Sequence, residues 1–323
     1  MSGAPVGFRG NLRHEALLYT TDDEFVAGVL SFLKAGLDAG EPMLVALPAE
    51  RFELLWKHID GWSGVRLVDM AQLGKNPNRI IPTIRDFVEG YSGKRVRFVG
   101  EPIWPGRSAA EVAEATRYEA LINFAFRDAN TAILCPYDAA ALDDHVLTDA
   151  CRTHPIVCRQ GVRSASREYA DPLAFSGAEG WPLSPPPPTA IDVQFRFKEE
   201  LAELRALVRT LAMFAGLSSK RRDDLVLAVS ELATNTLRHT ADGGRLTIWE
   251  EADSLICEVR DTGRVSDPLI GRHRPSSGYG GGRGLWLVNQ VCDLVQIRCA
   301  GDGTRVRLHV CCLSPHELVA SVS

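Results

Sequence analysis

Residues 225–239 read LVLAVSELATNTLRH, and how they are read decides the fold of the second half of the chain. Leu225, Val229, Leu232 and Thr236 recur at helical spacing and make one stripe that can face a sheet. Glu231 and Asn235 stand one turn apart on another face, with Arg238 beyond them. Side chains at that spacing lie about 5–6 Å apart at Cβ, so a carboxylate and a carboxamide can reach one small ligand. The plainer alternative is a solvated helix face.

Two downstream signals change that balance. Asp261-Thr262-Gly263 closes a strand-like run, LICEVRDTG. A carboxylate only accepts hydrogen bonds, which suits an exocyclic amine such as that of adenine. Glycine lets the backbone approach closely or take a positive φ. Alone, D-x-G is a turn. SSGYGGGRGL, residues 276–285, is glycine-rich and runs into a helix that we begin at Leu285. A glycine loop feeding a helix N-terminus offers unpaired N–H groups and a favourable dipole to phosphate. Arg283 adds a charge-assisted contact. There is no G-x-x-x-x-G-K-[ST], and the glycines lack G-x-G-x-x-G spacing, so a P-loop and a dinucleotide fold are disfavoured.

The order of these elements is specific: E-x-x-x-N on a helix, D-x-G after a strand, G-x-G-x-G before a helix, then Gly303-Thr304 before a last strand. Over residues 191–312 this resembles the GHKL ATPase fold of gyrase and histidine kinases. It is most similar to the anti-sigma-factor serine kinases. The resemblance implies ATP and Mg²⁺ as cofactors. Asn235 would hold Mg²⁺, and Glu231 would orient or deprotonate the attacking hydroxyl. Asp261 would bind the adenine amine, with Gly263 letting the base sit close and Thr304 supporting Asp261 and a bridging water. Gly280, Gly282, Arg283 and Gly284, ahead of Leu285, would close over the phosphates. The implied activity is serine/threonine phosphorylation of a STAS-type anti-sigma antagonist, with a sigma factor as the sequestered partner and a second copy of this chain as a further candidate partner. The helical run 198–216 contains no histidine, which disfavours histidine autophosphorylation. His239 reads as a helix-terminal cation or cap. The alternatives are a non-catalytic, ATP-gated partner-switching module and a histidine kinase acting on a separate phosphotransfer protein.

The first half alternates apolar, strand-like runs (HEALLYT, PMLVALP, VRLVDM, RVRFVGE, TAILCPYD) with helical ones. That rhythm predicts a three-layer α/β domain with a mostly parallel sheet. Its first strand-to-helix turn, LLYTTDDEF, has neither glycine nor lysine, so phosphate binding there is disfavoured. The strand C-terminal ends carry Tyr19, Asp69, Glu101, Trp104, Tyr137 and Asp138, a mix that suits a small organic ligand or a partner surface. HEALLY, RFVGEPIW, Glu119 and Asn123 at E-x-x-x-N spacing, CPYD and THP together resemble the MEDS sensory domain over residues 12–172. That resemblance implies small-molecule sensing, with His14, Tyr19, Glu101, Trp104, Glu119, Tyr137 and His154 as candidate ligand-facing residues. Cys135, Cys151, His154 and Cys158 offer sulfur and imidazole to a metal such as zinc. CRTHPIVC reads as a helix that sets the last three at x2 and x3 spacing, while Cys135 ends a strand and must be brought in; the competing and favoured reading makes them buried small residues.

SGAEGWPLSPPPPTA, residues 176–190, separates the halves. Four consecutive prolines favour extended polyproline geometry, so residues 173–190 read as a semi-rigid linker between domains 1–172 and 191–323. The second domain is expected to be a two-layer α+β sandwich with a mixed sheet. The net charge is −5 and neither half is basic, so nucleic acid is not an expected partner. No apolar run reaches the roughly 18 residues of a membrane span, and MSGAPVGFRGN lacks the apolar core of a signal peptide. With eight scattered cysteines, reduced thiols and a cytoplasmic location are the expectation.

Overall fold

A computed structural model describes residues 11–177, 180–275 and 282–312. The chain divides into two compact units between Ser176 and Gly177.

In the first unit the apolar runs become β1 (Arg13–Tyr19), β2 (Met43–Leu47), β3 (Val65–Asp69), β4 (Val96–Gly100) and β5 (Thr131–Asp138). Between them lie α1 (Asp22–Asp38), α2 (Ala49–Ile59), α3 (Met70–Leu73), α4 (Ile80–Gly90) and α5 (Ala109–Ala125). α6 (Asp144–Thr153), β6 (Ile156–Arg159), β7 (Val162–Ala165) and α7 (Pro172–Ser176) follow. Sheet order is β3-β2-β4-β5-β1-β6-β7; only the β6–β7 pair is antiparallel. β2 and β4 are buried at every residue, as central parallel strands must be, whereas edge strand β3 is mostly exposed. α1 and α2 pack Phe25, Val29, Phe32 and Leu55 against one sheet face. α5 covers the other and is buried from Glu114 to Asn123. Local chemistry sets the helix starts. Thr21 caps α1, and Ser108 with Glu111 forms a capping box on α5.

The β6–β7 hairpin corrects the sequence reading. CRTHPIVC is not one helix: α6 stops at Thr153, because the residue before Pro155 is pushed out of helical geometry, and Cys158 lands on a strand.

The second unit runs β8 (Ile191–Phe195), α8 (Leu201–Phe214), α9 (Ser219–His239), β9 (Gly244–Glu251), β10 (Ser254–Asp261), α10 (Arg283–Val291), β11 (Leu294–Ala300) and β12 (Gly303–Cys311). It is the expected two-layer sandwich, but its sheet, in order β11-β12-β10-β9-β8, is antiparallel at every pairing rather than mixed. β9–β10 and β11–β12 are hairpins, the long helix-bearing connection from β8 to β9 returns the chain antiparallel, and the one from β10 to β11 sets β11 beyond β12, which runs antiparallel to both. The stripe Leu225, Val229, Leu232 and Thr236 is buried, with the three apolar members in a core shared with Leu246, Val259 and Leu308.

The proline-rich segment is not a free spacer. The carbonyls of Trp181 and Ser184 accept hydrogen bonds from Arg298 and Arg307, both of the second unit. Arg307 also forms a buried pair with Glu258 (2.6 Å) and lies over Trp249. The segment is thus tied to strands of the second unit, on the face away from the helices.

Candidate functional site

The polar end of α9 and the end of β10 meet at a cavity of about 270 Å³. Asn235, Thr236 and His239 line it from α9, and Asp261 and Gly263 from the end of β10. Gly282 and Leu285 contribute from the start of α10, and Thr304 from β12. Asp261 is fixed from two sides: the Thr236 hydroxyl donates to Oδ2 (2.6 Å) and the Gly263 N–H to Oδ1 (2.9 Å). Each carboxylate oxygen accepts more than one hydrogen bond, so Asp261 keeps capacity for an amine. Thr304 donates to the Gly263 carbonyl (2.8 Å), pinning the turn that follows the carboxylate. Gly303 is required there: its φ is +121°, and a Cβ would sit 1.9 Å from the Asp261 carbonyl oxygen.

α10 begins at Arg283, two residues earlier than the sequence suggests, with Gly282 as a left-handed N-cap (φ +84°). A Cβ on Gly284 would come within 2.8 Å of Glu231 Oε2 and 3.1 Å of Asn235 Nδ2, so the start of α10 rests against the E-x-x-x-N pair. The structure therefore gathers Asn235, Asp261, Gly263, Gly282, Leu285 and Thr304 around one cavity, with Gly284 beside it. Glu231 is half-buried against Gly284 and is not among the lining residues; Arg283 is exposed and also outside the lining. Gly280 lies outside the described residues. The sequence reading missed Thr236, which it assigned to the apolar stripe, and Ile270, which lines the cavity from the loop after β10. A hydroxyl on a stripe facing a strand that ends in aspartate was the available signal.

In the first unit the candidate residues separate into two clusters. At the C-terminal strand ends, the Tyr19 hydroxyl donates to Glu101 Oε1 (2.9 Å). Arg51, from α2 and missed by the sequence reading, pairs with Asp138 (2.7 Å) and Asp22 (2.6 Å) and sits over the Tyr19 ring. Burial pushes the Glu101 carboxyl up to about 7, against the opposing pull of Tyr19 and Arg51. Trp104 belongs to neither cluster; Arg107 stacks on its ring.

The second cluster lies between β1, β5 and α5. His14, Glu119, Cys135 and His154 are essentially inaccessible, and the Tyr137 ring packs edge-on against His154. His14 Nε2 is 3.2 Å from Glu119 Oε2, His154 Nε2 is 3.4 Å from the same atom, and Cys135 Sγ is 3.4 Å from it. Burial and the neighbouring His154 lower the His14 pKa. Burial alone would raise the Glu119 carboxyl, but the two imidazoles hold it down to about 2. These tendencies conflict at His14: the Glu119 anion favours a charged imidazole, and burial withholds the proton from that ring. Cys151 and Cys158 are not part of this cluster; both are free and buried, in keeping with the reading of them as small buried residues. Cys158 instead packs in the core beneath α1.

The antiparallel two-layer sandwich, with this order of motifs around one cavity, defines a GHKL-type ATPase unit standing after an α/β unit. Residues 13–155 match the family described as MEDS, the methanogen/methylotroph DcmR sensory domain, and residues 197–310 match the histidine kinase-like ATPase domain. The first match falls within the first unit and the second within the second unit. Among solved structures, the RsbU and RsbW domains of a Mycobacterium tuberculosis protein are 18% identical with a TM-score of 0.30. That match covers 38% of this chain and 32% of the other, so the chain spans about a third of that structure, and so slight a likeness carries no argument. None of the curated proteins matches the chain. Among the described residues, no helix is long and apolar enough to cross a membrane.

Proposed function

We propose that the second unit binds ATP with Mg²⁺ and transfers its γ-phosphoryl group to a serine or threonine of a STAS-type anti-sigma antagonist, so governing the release of a sigma factor. The observation that carries this reading is the doubly anchored Asp261, which lines one cavity together with a left-handed glycine that opens a helix. Asp261 accepts the adenine amine, and Gly263 leaves room for the base. The N–H groups at the start of α10 face the phosphates. Asn235 lines the cavity and offers a neutral amide oxygen, a ligand type that Mg²⁺ takes beside water and phosphate oxygens. Bound there, Mg²⁺ supplies charge neutralisation of the β- and γ-phosphates. Glu231, one turn away, orients the incoming hydroxyl. The first unit, through its match to a sensory domain, supplies the regulatory input, with the Tyr19–Glu101–Arg51 cluster at the strand ends as its ligand-facing region. A second copy of the chain is a candidate partner in that regulation.

One observation favours a second reading. Glu231 lies against Gly284 and outside the cavity lining, as suits a module in which ATP sets partner choice without transfer. The two are separated by incubating the full chain with γ-labelled ATP, Mg²⁺ and a STAS-domain antagonist. Acid-stable label on a serine or threonine of the antagonist, absent with Asn235→Ala, is the expected result. ATP binding without label supports the non-catalytic module, and acid-labile label on a partner supports a histidine kinase.

A further inference from the structure

The hydrogen-bond pattern around the buried cluster fixes where its protons are. Asn123 Nδ2 donates to the Thr153 carbonyl (2.7 Å), so Asn123 Oδ1 faces His14 Nδ1 (3.0 Å) and takes its proton. His154 Nδ1 lies 2.8 Å from the Ala150 carbonyl, which can only accept. With one proton on each ring, that proton sits on Nδ1 and a bare Nε2 lone pair turns inward. Those lone pairs converge on Glu119 Oε2, itself an acceptor, with Cys135 Sγ 3.5 Å from His14 Nε2. The Cys135 thiol donates to Glu119 Oε2 (3.4 Å), the one proton aimed into the cluster, and Glu119 Oε1 and His154 Nε2 have no hydrogen-bond partner among the described residues. Such an arrangement is costly unless a cation occupies its centre.

We propose that His14, Glu119, Cys135 and His154 form a tetrahedral site for Zn²⁺ or a similar divalent transition metal inside the first unit. Metal–nitrogen and metal–oxygen bonds of about 2.0–2.2 Å and a metal–sulfur bond of about 2.3 Å give ligand–ligand edges of roughly 3.3–3.6 Å. The separations of 3.2, 3.4, 3.4 and 3.5 Å are close to those edges, and all four ligand atoms lie within 4.8 Å of one another. Asn123 and the Ala150 carbonyl complete the outer shell, each holding the other nitrogen of a ligating histidine. One sulfur, two imidazoles and one carboxylate select a zinc-like ion over Mg²⁺ or Ca²⁺, which prefer all-oxygen shells. Binding sends the Cys135 thiol proton to solvent. The dication, the thiolate and the carboxylate then sum to zero charge. The site is independent of the ATP reading and lies in the other unit.

The test uses the purified full chain. Elemental analysis after loading with Zn²⁺ and removal of free ion should give one zinc per chain. Replacement by Co²⁺ should give intense tetrahedral visible bands and a sulfur-to-cobalt charge-transfer band. Cys135→Ser should lose the charge-transfer band, whereas Cys151→Ser and Cys158→Ser should keep it. The wild-type stoichiometry and cobalt spectrum decide the matter even if Cys135→Ser does not fold. Failure of the folded wild type to retain either metal would mean that protons alone balance the cluster and would overturn the proposal, as would a charge-transfer band that survives Cys135→Ser or vanishes with Cys158→Ser.

Discussion

The same motif occurs twice in this chain, and its two copies do different work. Glu119 and Asn123 on α5, and Glu231 and Asn235 on α9, each set a carboxylate and a carboxamide one turn apart. On α5 the pair is buried, and every polar atom that has a partner finds it on neighbouring elements of the same core. On α9 the pair is half-buried, beside a cavity that a ligand can enter. Spacing delivers two side chains to one face in both cases. Whether they hold a resident group or exchange a ligand is set by what covers that face.

Removing the two carboxamides should separate the roles most sharply. Asn123→Ala strands the His14 Nδ1–H and the Thr153 carbonyl inside the core, and should cost the first unit about 3 kcal/mol in denaturant unfolding. Asn235→Ala should cost less than about 1 kcal/mol of stability while abolishing measurable ATP·Mg²⁺ binding. Equal stability losses would break the comparison.

Burial also predicts a pH response in the first unit. Between the ordinary carboxylate value of 4.5 and about 7, folded Glu101 keeps a proton that the unfolded chain has released. Its stabilising contribution is complete below 4.5 and is lost as pH rises through 7, on the order of 3 kcal/mol in all. Unfolding curves from about pH 5 to about pH 8 should show the decline, and Glu101→Gln should flatten it.

Smaller effects test the cavity. Asp261→Asn replaces an acceptor oxygen by a donor facing the adenine amine, and should weaken ATP binding roughly 10- to 100-fold in a fluorescent-nucleotide titration, without altering the first unit. Thr236→Val removes one of the two anchors of Asp261 and should weaken the same titration about fivefold, near 1 kcal/mol.

What the sequence made legible follows the same division. That Asn235, Asp261, Gly263 and Thr304 share one cavity was foreshadowed because each sits in a short motif whose chemistry is local. Thr236 was not, because a threonine on an apolar stripe looks like packing until the strand end opposite it is known. His14, Glu119, Cys135 and His154 all stood among the candidate residues, but their convergence was hidden because they come from β1, α5, β5 and the turn after α6, and only the sheet register brings His14 beside Cys135. The β6–β7 hairpin is made of short strands close behind a helix, too brief to show alternation. Prolines announced a stiff segment between the units, but not that its carbonyls would be held by Arg298 and Arg307.

The most direct test is isothermal titration of the full chain with ATP in the presence of Mg²⁺. The account expects one nucleotide per chain at sub-millimolar affinity, greatly weakened by Asp261→Asn and unchanged by Cys158→Ser. No uptake by folded protein at millimolar nucleotide, or uptake indifferent to Asp261, would contradict it.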